Sequence, residues 1–112
     1  SDPAVKEYLD YMNANGYGDI AATAAAGWTT AEVTIAMIKQ AMDSPDGLSR
    51  ASIINAARNF TYTPMLAREG VVDTMNGEAD PFLAESLQVL QYAQPTATFT
   101  DVGSLITEFE TK

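Results

Sequence analysis

The hydrophobic period changes character near Pro64, and that change limits the fold more than any single residue does. Before it, apolar residues recur at helical spacing. After it, strand formers gather into short runs bounded by turn residues. Helices followed by strands, without regular βαβ alternation, place the chain in a mixed α/β class. Its 112 residues allow one core but not two independent ones, so the chain reads as one small domain or a piece of a larger one.

Asp2 and Pro3 read as an N-cap and first helical residue, with Val5, Tyr8, Leu9 and Met12 on one face and Asn15-Gly16 as a left-handed stop. A helix is predicted over about 3–14. From Ile20 to Gly27 the residues are almost all small and show no clean period, which predicts a buried connector. Thr29 and Glu32 have the spacing of a capping box, so a second helix is predicted to start at Thr29. Its apolar stripes, Ala31-Ile35-Ile38-Met42 and Val33-Met37-Ala41, leave little but Glu32, Lys39, Gln40 and Asp43 for solvent. Such a helix is expected to be covered on most sides. The stretch Asp43-Ser44-Pro45-Asp46-Gly47 breaks it, and Ser49 is placed to cap a third helix with Ile53, Ala56, Ala57 and Phe60 facing inward.

Val71-Val72 then leads to a turn at Asn76-Gly77, and a polar stretch runs to Pro81. The run from Leu87 to Tyr92 is expected to pair with Phe99–Val102 across a turn near Pro95. Leu105, Ile106 and Phe109 have the spacing of a short closing helix.

Hydrophobic residues make up 46% of the chain, enough to bury a core, so wholesale disorder is not expected. Six basic residues against fifteen acidic ones give a net charge of −9. The basic residues are scattered singly, which argues against nucleic acid and anionic membrane surfaces as partners. The sequence has no histidine and no cysteine. Triads built on histidine, thiol nucleophiles, haem and iron–sulfur ligation, and zinc sites of N and S ligands are therefore excluded. No apolar run approaches the length of a bilayer span. Ser1-Asp2-Pro3 lacks the features of a signal peptide, so any signal is expected upstream.

Asp73, Asn76, Glu78 and Asp80 cluster around a glycine turn, but their spacing does not match an EF-hand loop. A solvated turn, with no metal, is the expectation. None of the fifteen acids sits in an apolar run that would tune it for acid–base work, so enzymatic activity is not expected. Asn59-Phe60-Thr61 fits a glycosylation triplet of a kind that arises often by chance. Trp28 follows the flexible Ala26-Gly27, and its ring can stand at the lip of a cleft or serve as a core anchor. The latter is favoured by the area a tryptophan buries.

The order of segments carries a further signal. Asp2-Pro3-Ala4-Val5 opens one helix, Gly27-Trp28-Thr29-Thr30-Ala31-Glu32 the next, and Leu48-Ser49-Arg50-Ala51-Ser52-Ile53 a third. Arg68-Glu69-Gly70-Val71-Val72 and Glu85-Ser86-Leu87-Gln88-Val89-Leu90-Gln91-Tyr92 follow. In this order the chain resembles the C-terminal part of type I periplasmic binding proteins, the branched-chain amino-acid class of ABC-transporter substrate-binding proteins. The resemblance covers nearly the whole chain and rests on sequential order rather than on one diagnostic motif.

The resemblance implies a fragment of a two-lobed fold. Residues 1–64 would form a helical part of the N-terminal lobe, and residues 65–112 the hinge crossover and strands of the second. It implies an extracytoplasmic protein that closes on an amino acid or similar small solute, works with the transporter's membrane subunits and needs no cofactor. Ala26, Gly27 and Trp28 match the segment that enters the cleft before a helix and contacts the ligand. A fragment of this kind is also expected to self-associate through surface that the missing part covers. The alternatives are a self-contained helical protein–protein interaction module, and a sensor or receptor ectodomain built on the same clamp.

Overall fold

The first helix, α1, spans Pro3–Ala14 in a computed structural model that describes residues 2–107. Asp2 is extended, and its Oδ1 accepts the Ala4 N–H at 2.8 Å. Pro3 fills a position where a missing N–H costs nothing. At the other end the Tyr17 N–H reaches the Met12 carbonyl at 2.8 Å and the Gly16 N–H reaches Asn13 at 3.1 Å. That closure needs the left-handed φ of +79° at Gly16. Both predicted ends of α1 are therefore found where the capping residues place them.

The connector predicted over 20–27 does not exist. After one 3-10 turn at Gly18–Ile20, a single helix α2 runs from Ala21 to Met42. Alanine is the best helix former, so a run of alanines without amphipathic period costs the helix nothing. The capping box at Thr29 is absent for the same reason, since Thr29 lies mid-helix. The hydroxyls of Thr30 and Thr34 instead donate to the carbonyls of Ala26 and Thr30, at 2.9 and 2.7 Å.

Helix α3, Arg50–Arg58, has the predicted Ser49 cap. Ser49 Oγ accepts the Ser52 N–H at 3.1 Å, and Ser52 Oγ accepts the Ser49 N–H at 2.8 Å, a reciprocal box. Ala56 is buried on its inner face. Phe60 is buried as well, but it lies beyond the helix in strand β1, Asn59–Tyr62. The aromatic and threonine residues of this segment favour extended backbone, and that preference ends α3 one residue after Ala57. β1 pairs antiparallel with β2, Asp73–Asn76, with Phe60 opposite Met75 and Tyr62 opposite Asp73.

The predicted hairpin is present. β3, Leu90–Ala93, pairs with β4, Thr98–Asp101, so that Tyr92 faces Phe99. A bridge between Leu87 and Ile106 extends the ladder. Ile106 therefore pairs as extended chain, not in a closing helix, and Phe109 lies outside the described residues. Among the described residues, three α-helices and two small antiparallel sheets make a mixed helix-and-sheet fold.

The main core is where α1 crosses the start of α2. Tyr8, Met12 and Ala21 are buried together, with Ala24, Ala25, Trp28, Met65 and Leu66 packed around them. Burying the first two contributes roughly 1.5–3 kcal/mol per side chain. The Tyr8 hydroxyl donates to the Ala21 carbonyl at 2.6 Å, so its polar end is satisfied where it is buried. Further along α2, which packs against α3, Val33 is 7% and Ala41 0% exposed. The outer side of α2 is open, with Ile35 at 53% and Met42 at 56%, so the helix is not covered on most sides as its composition predicted.

The result is a flat body of 55 × 41 × 19 Å with a radius of gyration of 16.9 Å, where a compact domain of this size has about 13 Å. Its accessible surface is 8273 Å², against roughly 6,000 Å² expected for a folded chain of this mass.

Candidate functional site

Ala26, Gly27 and Trp28 lie on the first half of α2 and not on a loop before a helix. Successive helical residues point about 100° apart, so the three do not converge. Ala26 and Gly27 are exposed, while Trp28 is half-buried against α1. Its ring meets Tyr8 edge-on at 5.2 Å and 70°, and Tyr11 at 5.4 Å and 62°. Edge-to-face pairs of this kind add about 0.5–1.5 kcal/mol each beyond area burial. Trp28 thus anchors the α1–α2 contact, and the exposed Tyr11 beside it continues the aromatic surface outward.

One turn beyond Trp28, Glu32 turns inward, although its place between the apolar stripes predicted a solvent-facing side chain. Glu32 Oε1 accepts both the Tyr62 hydroxyl at 2.8 Å and the Met65 N–H at 2.9 Å. Its other oxygen, Oε2, is buried without a hydrogen-bond partner. The bond to Glu32, then burial, then the Glu32 charge hold the Tyr62 hydroxyl above the ordinary tyrosine value of 10.0. Opposite Tyr62 in the ladder, Asp73 is also buried, and burial pushes its carboxyl above 3.8. The available signal for Glu32 was its i+4 spacing from Trp28, which puts both on one helical face.

An open cleft of about 600 Å³ lies between the start of α1, the turn after Leu66 and the segment after β4, lined in part by Asp2, Val5, Leu66, Arg68, Asp101 and Leu105. Arg68 Nη2 contacts both carboxylate oxygens of Asp101, at 2.9 and 2.8 Å. This pair fastens the turn to the hairpin. Neither this cleft nor the Glu32 network pairs a nucleophile with a base among the described residues.

The acidic turn is occupied by structural bonds. Asn76 exchanges backbone hydrogen bonds with Asp80 at 3.0 and 3.3 Å, Glu78 pairs with Arg58 at 3.1 Å, and Asp80 Oδ1 accepts the Phe82 N–H. Among the described residues no cluster of three metal-ligating side chains forms. Nor is any helix among them long and apolar enough to cross a membrane. No family model, curated protein or solved structure matches the chain.

Proposed function

We propose that this chain is the C-terminal part of an extracytoplasmic solute-binding component of an ABC transporter, which closes two lobes on an amino acid of branched-chain type or a similar small solute. The observation that carries the reading is the uncovered apolar surface, taken together with the order of segments that resembles the binding-protein family. Ile35 and Met42 on α2, Ile54 on α3 and Leu48 in the connection between them are all more than half exposed or close to it. A body 19 Å thick holds little more than two layers of structure, and a second body laid on α2 and α3 supplies the missing cover.

In this reading Trp28, the one of the three that adjoins the α1–α2 edge, offers the solute an aromatic wall with the exposed Tyr11 beside it. Closure is favoured because the solute contacts both lobes in the closed form and one in the open form. Membrane subunits of the transporter receive the closed form, and ATP is hydrolysed by the transporter's other subunits. This chain needs no cofactor and performs no catalysis.

The test is the intact mass of the protein recovered from its source cells, followed by calorimetry of that protein with leucine, isoleucine, valine and other amino acids. Support is a mass several times 12.0 kDa and saturable binding of one of these solutes, weakened in a Trp28→Phe variant. A mass near 12.0 kDa with no solute bound would overturn the proposal and favour the helical interaction module.

A further inference from the structure

The β3–β4 hairpin is poorly covered: all of β4 and three of the four residues of β3 are exposed. Tyr92 and Phe99 pack ring to ring at 5.1 Å, yet they are 48% and 64% exposed, and Val89, Leu90 and Val102 are similarly open. A two-stranded hairpin standing alone is marginally stable in water. The hairpin therefore has apolar surface and backbone groups to spare.

Its register shows which groups are free. The Val102 N–H donates to the Val89 carbonyl at 2.9 Å, and Leu90 lies opposite Asp101, Gln91 opposite Thr100 and Tyr92 opposite Phe99. Antiparallel pairs alternate, so Val89–Val102, Gln91–Thr100 and Ala93–Thr98 are the hydrogen-bonded pairs. Leu90 and Tyr92 consequently turn their N–H and C=O groups away from β4, along an edge that no other strand pairs with among the described residues. No lysine, proline or bulge blunts that edge between Leu90 and Ala93.

Charge selects the occupant. The chain carries a net charge of −9, but residues Ser86 to Thr100 are fifteen consecutive uncharged positions, the longest such run in the sequence. Two copies of so acidic a protein repel wherever their acids face one another. The β3 edge is where they meet without that cost. The nearest acid, Asp101, sits across the ladder on β4 and is paired with Arg68.

We infer that the β3 edge is a homodimerisation surface, on which β3 of a second copy docks antiparallel about a two-fold axis through Gln91. Leu90 of each copy then exchanges both backbone hydrogen bonds with Tyr92 of the other. The two hairpins become one four-stranded sheet. Leu90, Tyr92 and Phe99 from both copies form a continuous apolar face, with the Asp101 side chains at opposite corners. The chain has surface to give: its excess over a compact fold is roughly 2,000 Å², while each partner of a standard interface loses about 800 Å². This inference goes beyond solute binding and does not depend on it.

The arrangement places Gln91 of each copy opposite its mate as a non-hydrogen-bonded pair, with Cα atoms about 4.5 Å apart, close enough for a disulfide. The native chain has no cysteine, so a single substitution gives a clean readout. Under mild oxidation, Gln91→Cys is expected to link into a dimer of twice 12.0 kDa, while Thr96→Cys at the hairpin tip stays monomeric. Adding Leu90→Lys to Gln91→Cys is expected to abolish the link and shift sedimentation to monomer, with the far-ultraviolet dichroism unchanged. Any of four results overturns the inference: equal linking at both positions, a native chain monomeric at every concentration, growth into polymers instead of a closed dimer, or a longer native protein in which Gln91→Cys does not link because another strand holds the edge.

Discussion

Glu32 and Tyr62 stand thirty residues apart in sequence and meet in a 2.8 Å hydrogen bond that ties the middle of α2 to the end of β1. The same carboxylate oxygen holds the Met65 N–H, so one side chain fixes both the strand and the chain leaving it. Glu32→Ala is expected to lower stability by about 1–3 kcal/mol, because it leaves two donors without their acceptor. Glu32→Gln keeps an oxygen in place and puts an amide where Oε2 is unpartnered, so its loss should be clearly smaller. Urea unfolding of both variants checks this. Equal losses would mean that the charge, not the acceptor, matters.

Asp73 contributes a pH dependence of definite sign. Its folded carboxyl holds a proton more tightly than the unfolded one, because burial raises its value above 3.8. Its contribution is fully present below about pH 3.8 and is lost as the pH rises through the raised folded value. Asp73→Asn should therefore be more stable than the native chain at pH 7, and the difference should vanish near pH 3. Thermal melts of the two proteins at both values decide it.

Tyr62 acts at the alkaline end. Its hydroxyl is neutral on both sides of folding up to about pH 10, and the bond to Glu32 stabilises the fold throughout that range. As the pH passes through the raised folded value, the stabilisation is lost. The native chain is expected to lose stability more steeply than Tyr62→Phe in this window. Parallel slopes in alkaline denaturation would contradict the assignment.

Trp28→Ala should cost about 2 kcal/mol, less than the roughly 3–5 kcal/mol of a fully buried tryptophan, because the ring is only half covered. Trp28→Phe keeps an edge-to-face partner for Tyr8 and should cost less. Chemical unfolding measures both. The phenylalanine variant is also the appropriate one for binding work, since it separates contact with a solute from loss of the α1–α2 packing.

Replacing Gly16 by alanine should destabilise α1 by roughly 1–2 kcal/mol, the cost of forcing an L-residue to a left-handed φ. Helical dichroism and the urea midpoint should fall together.

What was legible in the sequence followed from strong local chemistry. Asp2-Pro3 and Asn15-Gly16 marked both ends of α1 because capping satisfies backbone groups that only those residue types reach. Ser49 marked α3 in the same way, and turn formers around Pro95 announced the hairpin. The failures have a common cause, which is that small or ambiguous residues leave the decision to tertiary contacts. The alanines before Trp28 carry no period, and only packing against Tyr8 and Met12 shows them to be helix. Thr29 and Glu32 matched a cap, but the helix had already begun eight residues earlier. Glu32 reads as solvated in the sequence because its partners are remote: Tyr62 ends a strand that competes with the end of α3, and Met65 lies in the turn after it. The placement of Ala26, Gly27 and Trp28 ahead of a helix failed in the same way, since the glycine at 27 suggests a break that a helix rich in alanine tolerates.

The only tryptophan stands between two tyrosine rings at the contact of α1 with α2, which gives the molecule an internal optical reporter. Its emission registers first the separation of those two helices, whose tyrosine rings it touches, while the β3–β4 hairpin carries its own aromatic pair. A melt followed by tryptophan fluorescence and one followed by backbone dichroism therefore track different bodies. If the hairpin opens before the helices part, the two curves will separate, and their spacing in temperature will measure how loosely the hairpin is coupled to the core.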